Sequence, residues 1–143
     1  MSEQDNVRMA EENTKAMNDH DNARMRGFHG EGYRYQGPGM PEPVGEAVHD
    51  AFMEQSWTAF PDLSFRLIET IAQGDYVVMN WTCAGTHDGP MASPAGQTVP
   101  ATGREVSAPG SVTLEFKDGR IVRETSYYDL MGMMAQLGLG PGA

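Results

Sequence analysis

The chain has 143 residues, enough for one domain that buries roughly 70% of the surface its unfolded form exposes, so no disulfide or metal staple is required. With 39% hydrophobic and 21% charged residues, it has the composition of a globular domain rather than a disordered segment. Its formal charge of −10 argues against nucleic acid or an anionic membrane surface as partner, because both require clustered Lys and Arg, and only Arg24 and Arg26 lie close together.

Cys83 is the single cysteine, so no internal disulfide forms and a reducing compartment, the cytoplasm, is the expected location. The N-terminal region is acidic, with no basic stretch leading into an apolar one, and no run is apolar enough to span a bilayer.

Residues 2–17 are good helix formers, and Val7, Ala10, Thr14 and Met17 recur on one stripe, which predicts a first helix. Residues 18–21 supply capping and turn chemistry, and a short second turn carries Ala23 and Met25. Residues 27–43 are rich in glycine, proline and aromatics and read as a rim with short-strand residues Phe28, Tyr33 and Tyr35. Helical spacing returns over residues 44–60, where Met53 and Trp57 pair four apart, and Pro61 closes the element.

The period then changes to two. Leu63, Phe65 and Leu67 alternate with polar neighbours, Gly74 and Asp75 make a turn, and Val77, Met79, Trp81, Cys83 and His87 share one face of the next strand. Residues 89–103 form a long loop punctuated by prolines and glycines, followed by a third strand marked by Val106, Ala108, Val112, Leu114 and Phe116, with Gly110 as a bend. Asp118 and Gly119 turn the chain into a fourth strand, whose regular alternation would place Ile121, Arg123, Thr125, Tyr127 and Asp129 on one face. A short last helix carries Leu130, Met133, Met134 and Leu137, with Gly138 beyond its end and a loose tail after it. Helices first and long antiparallel strands afterwards indicate a single α+β domain over residues 1–143 rather than a parallel-sheet enzyme.

The ordered series Phe60-Pro61-Asp62-Leu63, Gly74-Asp75, Trp81, Gly85-Thr86-His87-Asp88-Gly89-Pro90, Thr102-Gly103-Arg104, Asp118-Gly119-Arg120-Ile121-Val122, Tyr128-Asp129-Leu130-Met131 and Gln136-Leu137-Gly138 resembles the SnoaL-like polyketide cyclases. The resemblance implies a cone-shaped α+β barrel of the nuclear-transport-factor superfamily, in which a curved antiparallel sheet is wrapped by N-terminal helices around an apolar pocket, usually as a homodimer. It further implies acid/base proton transfer and intramolecular aldol closure on a hydrophobic carbonyl or ester substrate, without metal or cofactor, with Asp129 as acid and base. Where many relatives carry a polar histidine, this chain has Tyr33-Arg34-Tyr35-Gln36, so Tyr35 or Gln36 stands in.

Residue chemistry leaves alternatives open beside that reading. Asp129 directly precedes the last helix and is equally suited to cap it. His87 sits at a strand end, either to hydrogen-bond an enolate or to tie down the following loop. Tyr127 is selected over Tyr128 by its parity with Asp129. Trp57, Phe60, Met79, Trp81 and Met133, with Met131 and Met134, are expected to line the pocket or fill the core, methionine making an adaptable wall for a flat ligand. His20, His29, His49 and His87 lack metal-ligand spacing, so no metal site is expected. Rival functions are a hydrolase, isomerase or hydroxylase on the same scaffold, or a module that only binds a small apolar ligand or dimerises.

Overall fold

The structure, a computed structural model, describes residues 2–92 and 96–139. The tail expected to be loose, beyond Leu139, and the middle of the 89–103 loop fall outside the described residues. Helix α1 (Glu3–Asn18) opens with a capping box in which the Ser2 hydroxyl accepts the Asp5 N–H and the Asp5 carboxylate accepts the Ser2 N–H. Its buried stripe, which includes Ala10 and Thr14 together with Asn6, Asn13 and Ala16, packs against strands β2 (Ser64–Gln73) and β3 (Tyr76–Thr86). Helix α2 (Asn22–Arg26) is tied to α1 by Arg24, which pairs with both Glu12 and Asp19. Helix α3 (Glu46–Ala59) buries His49, Met53 and Trp57, one face at four-residue steps, and Ala59 at its end.

The main sheet adds β1 (His29–Gln36), β6 (Glu105–Lys117) and β7 (Arg120–Tyr128), in the order β1-β7-β6-β3-β2. It is curved but not closed, and β1 and β2 are its edges. Three of its pairings are antiparallel, whereas β1 runs parallel to β7, so the segment read as a loop with strand fragments is a full edge strand. The Asp118-Gly119 turn joins β6 to β7 with φ of 51° and 76°, the left-handed pair that matches the twist of a hairpin. Within the 89–103 loop, β4 (Met91–Ala92) and β5 (Thr98–Val99) pair as a small ribbon.

One irregularity decides which side chains face inward. Glu115 pairs with Arg123 while Phe116 pairs with Ile121, leaving Val122 as an extra residue on β7. This bulge reverses the alternation. Ile121 is buried, but the inward set then becomes Glu124, Ser126 and half-buried Tyr128, and Tyr127 and Asp129 turn to solvent.

Two helical side-chain amides finish the strands where backbone partners run out. Asn18 bonds both the N–H and the C=O of Phe65 on edge strand β2, at 2.8 and 3.0 Å. Gln136 of helix α4 (Leu130–Gln136) does the same for Ser107 on β6, at 2.8 and 2.9 Å. An open strand edge is thereby occupied without a further strand. Past α4, Gly138 with φ 77° closes a Schellman motif: its N–H reaches the Ala135 carbonyl and that of Leu139 reaches Met134.

Candidate active site

The concave sheet and the helices enclose a cavity of about 650 Å³. Most of its wall is apolar: Met53, Phe60, Leu63, Phe65, Met79, Trp81, Val112, Leu114, Met133 and Met134 all line it. Strands β1 and β7 contribute the polar residues Tyr35, Glu124, Ser126 and Tyr128, and α1 and α3 add others, among them Asn13, Thr14 and Ser56. Tyr35 and Glu124 are register partners across the parallel pair, and Leu114 faces Glu124 from β6.

Glu124 is only 6% exposed, and the Tyr33 hydroxyl donates to its Oε1 at 3.1 Å. Desolvation pushes its carboxyl up from 4.5 to about 7; the Tyr33 hydrogen bond opposes the rise and the charge of Glu46 adds to it. A carboxyl balanced near neutrality exchanges protons in both directions at pH 7. Burial likewise raises the Tyr35 and Tyr128 phenols above their ordinary range, so both stay protonated and can donate; a hydrogen bond with Ser126 pulls Tyr35 only partly back. Cys83, also in the wall, is held as a thiol by burial.

Of the residues singled out from the sequence, Tyr35, Phe60, Met79, Trp81 and Met133 meet at this cavity. Asp129 does not. It is exposed, and its Oδ1 accepts the Gly132 N–H at 2.8 Å as the N-cap of α4, the capping alternative in sequence. Tyr127 is 62% exposed on the outer sheet face, moved there by the β7 bulge. Gln36 is half-buried and bonds the Met40 carbonyl, and Trp57 stacks on His20 at 4.8 Å; neither lines the cavity.

His87 is fully buried outside the cavity lining. Its Nδ1 accepts the Thr102 N–H at 3.2 Å and lies 3.0 Å from the Thr102 hydroxyl, which assigns the ring hydrogen to Nε2, an atom without a partner among the described residues. With its own N–H on the Arg104 carbonyl and its C=O taking the Gly103 N–H, it fastens the end of the 89–103 loop to the sheet.

Sequence reasoning missed Glu124, Ser126 and Tyr128, because regular alternation from Ile121 put them outside. The available signal was the adjacent apolar pair Ile121-Val122, where either residue can point inward and a bulge lets both phases coexist.

Beside the cavity, Glu46, His49 and Asp50 bring three donor atoms within 4.8 Å of one another. Both carboxylates are engaged, Asp50 in an ion pair with Arg26 and Glu46 in a hydrogen bond with His29 at 2.8 Å, so the cluster reads as a polar network rather than a metal centre. His49 is 1% exposed, and desolvation, helped by nearby His29, lowers its pKa to about 4 and keeps it neutral.

The sequence matches the model of the SnoaL-like polyketide cyclases over residues 7–137. The chain belongs to that family. No curated protein matches it significantly. Among solved structures, this SnoaL-like chain is similar to AclR, a candidate hydroxylase of Streptomyces galilaeus, at 24% identity and a TM-score of 0.84, covering 99% of this chain and 86% of that one. It is similar to a candidate SnoaL-like polyketide cyclase of Jannaschia sp. CCS1, at 22% identity and a TM-score of 0.85, over 97% and 95% of the two chains. It is also similar to a protein of ketosteroid isomerase-like fold from Catenulispora acidiphila DSM 44928, in complex with trimethylamine, at 14% identity and a TM-score of 0.74, over 92% of each. These likenesses give this SnoaL-like domain its fold, in agreement with the architecture expected from the motifs. No helix among the described residues is long and apolar enough to cross a membrane.

Proposed function

We propose that this SnoaL-like protein is a polyketide cyclase-like enzyme that moves a proton at carbon beside a carbonyl and closes a ring by intramolecular aldol addition, with Glu124 as acid and base. The observation that carries the reading is a buried carboxyl, balanced near pH 7, facing an apolar cavity large enough for a flat carbonyl compound. Ionised Glu124 removes the acidic α-proton. The enolate carbon then forms a bond to a second carbonyl carbon of the same molecule, and the protonated Glu124 returns its proton to the resulting alkoxide. Tyr35 and Tyr128, kept as phenols by burial, are the available donors for the enolate oxygen. The reading includes a small hydrophobic substrate and a homodimer, and it assigns no metal or cofactor to the step.

The test is NMR in D₂O of α-proton exchange across β-dicarbonyl compounds and aromatic polyketide methyl esters, comparing the native protein with Glu124→Gln and Asp129→Asn. Exchange lost in Glu124→Gln and kept in Asp129→Asn supports the assignment. The reverse pattern returns the acid/base role to Asp129, and no exchange above buffer for any compound favours a binding module.

A further inference from the structure

Glu124 is connected to the protein surface by a continuous line of side chains. The Tyr33 hydroxyl donates to Glu124, and the Tyr33 ring stacks on His29 with centroids 3.7 Å apart and planes within 7°. His29 Nδ1 in turn lies 2.8 Å from both carboxylate oxygens of Glu46, in the first turn of α3. The line reaches solvent at its last step: the His29 side chain is 2% accessible and that of Glu46 28%. His49 packs edge-on against both rings, at 5.6 Å from Tyr33 and 5.9 Å from His29, and fixes their positions.

We infer that the His29–Glu46 pair is a positioning element that sets the proton affinity of Glu124, so that a partly exposed carboxylate on α3 governs the protonation of the cavity base. The inference rests on the reading of Glu124 as the acid/base. Two opposed influences meet at this carboxyl. Tyr33 stabilises its ionised form by donation, while the negative charge of Glu46 disfavours that form. Tyr33 itself is pushed well above the ordinary phenol range by burial and then by both carboxylates, which keeps its hydroxyl a donor. His29 is held down by burial against the pull of Glu46, so at neutral pH the pair carries the carboxylate's charge rather than cancelling it.

The surrounding titratable groups do not replace this control. Tyr35 on β1 and Tyr128 on β7 stay neutral, and His49 on α3 stays unprotonated. Arg26 of α2 is paired with Asp50, and β6 presents Leu114 opposite Glu124. Removing the Glu46 charge therefore relieves the repulsion and makes Glu124 a stronger acid.

The experiment titrates the Glu124 carboxyl directly, by ¹³C NMR of protein labelled at glutamate side-chain carboxyls, with the resonance assigned by its loss in Glu124→Gln. Glu46→Gln, which keeps an oxygen for His29, is expected to lower the midpoint by on the order of half a unit, and Tyr33→Phe to raise it. The acid limb of α-proton exchange should move in the same directions. Opposite signs from neighbouring substitutions are what a merely structural role would not produce. A midpoint unchanged or raised in Glu46→Gln overturns the inference, and it decides alone if Tyr33→Phe does not fold. A midpoint that moves as expected, with exchange indifferent to Glu124→Gln, upholds the tuning and removes Glu124 from the chemistry instead.

Discussion

Replacing Glu124 by Gln tests the buried carboxyl without any substrate. Gln keeps the shape and an acceptor oxygen for Tyr33, but it cannot ionise. The native carboxyl is raised from 4.5 to about 7 in the folded state, so the folded protein holds this proton more tightly than the unfolded chain. A raised folded pKa makes a contribution that is fully present below about 4.5 and is lost as pH rises through about 7, because above that point the fold must carry a buried charge. Between pH 5 and 8 the loss is about 2–3 kcal/mol, from the same shift at 1.36 kcal/mol per unit. Urea unfolding of both proteins at pH 5 and pH 8 isolates it. Other titrating groups cancel in the difference, and the cost of burying the amide is the same at both pH values. Relative to native protein, Glu124→Gln should gain about 2–3 kcal/mol on going from pH 5 to pH 8. A difference that stays flat would show that Glu124 ionises as an ordinary exposed carboxylate, and the proposed base would lose its physical ground.

Two further substitutions probe what holds the cavity. His49, with a folded pKa lowered from 6.5 to about 4, behaves oppositely to Glu124: its contribution is present above 6.5 and is lost as pH falls through about 4. His49→Gln should therefore narrow the stability difference between pH 7 and pH 4 by about 3 kcal/mol in denaturant titrations, and an unchanged difference would refute the neutral buried imidazole. At Gly110 an added Cβ would lie 2.4 Å from the Trp81 indole. Gly110→Ala should displace that ring at a cost of about 1–3 kcal/mol, read as a lower urea midpoint with altered tryptophan fluorescence; native values for both would contradict the packing.

The helices and the two hairpins were legible because their signals are local. A stripe at three- and four-residue steps or an Asp-Gly pair acts within one element, and α1, α3 and the β6–β7 turn came out within two residues of expectation. Strand β1 was harder. Its Gly30 and Gly32 read as loop, and what makes it a strand is pairing with β7, whose Glu124 lies 91 residues beyond Tyr33. Glu124 stayed hidden for a related reason. An acidic residue in a hairpin strand is ordinarily solvent-facing, and only the bulge at Val122, a property of the β6–β7 register, turns it inward.

Several residues that carried the family resemblance prove to be fasteners around the cavity, while Phe60, Leu63, Trp81 and Tyr128 of the same series line it. Asp62 accepts the Thr86 N–H and hydroxyl at 2.7 and 2.9 Å, His87 grips Thr102, and Gln136 holds α4 to β6. Gly89 donates to the Ala59 carbonyl where an added Cβ would sit 1.9 Å from the Thr58 carbonyl oxygen, so the loop lies flat on the end of α3. Asp129 fixes the start of α4, which contributes Met133 and Met134 to the wall. Each of these interactions fixes where a loop or helix closes over the sheet, and none supplies a titrating group to the cavity. Motifs of this kind specify a scaffold and do not by themselves specify its reaction. Membership in the family therefore establishes the scaffold, while the proposed cyclisation rests on Glu124, Tyr35 and Tyr128.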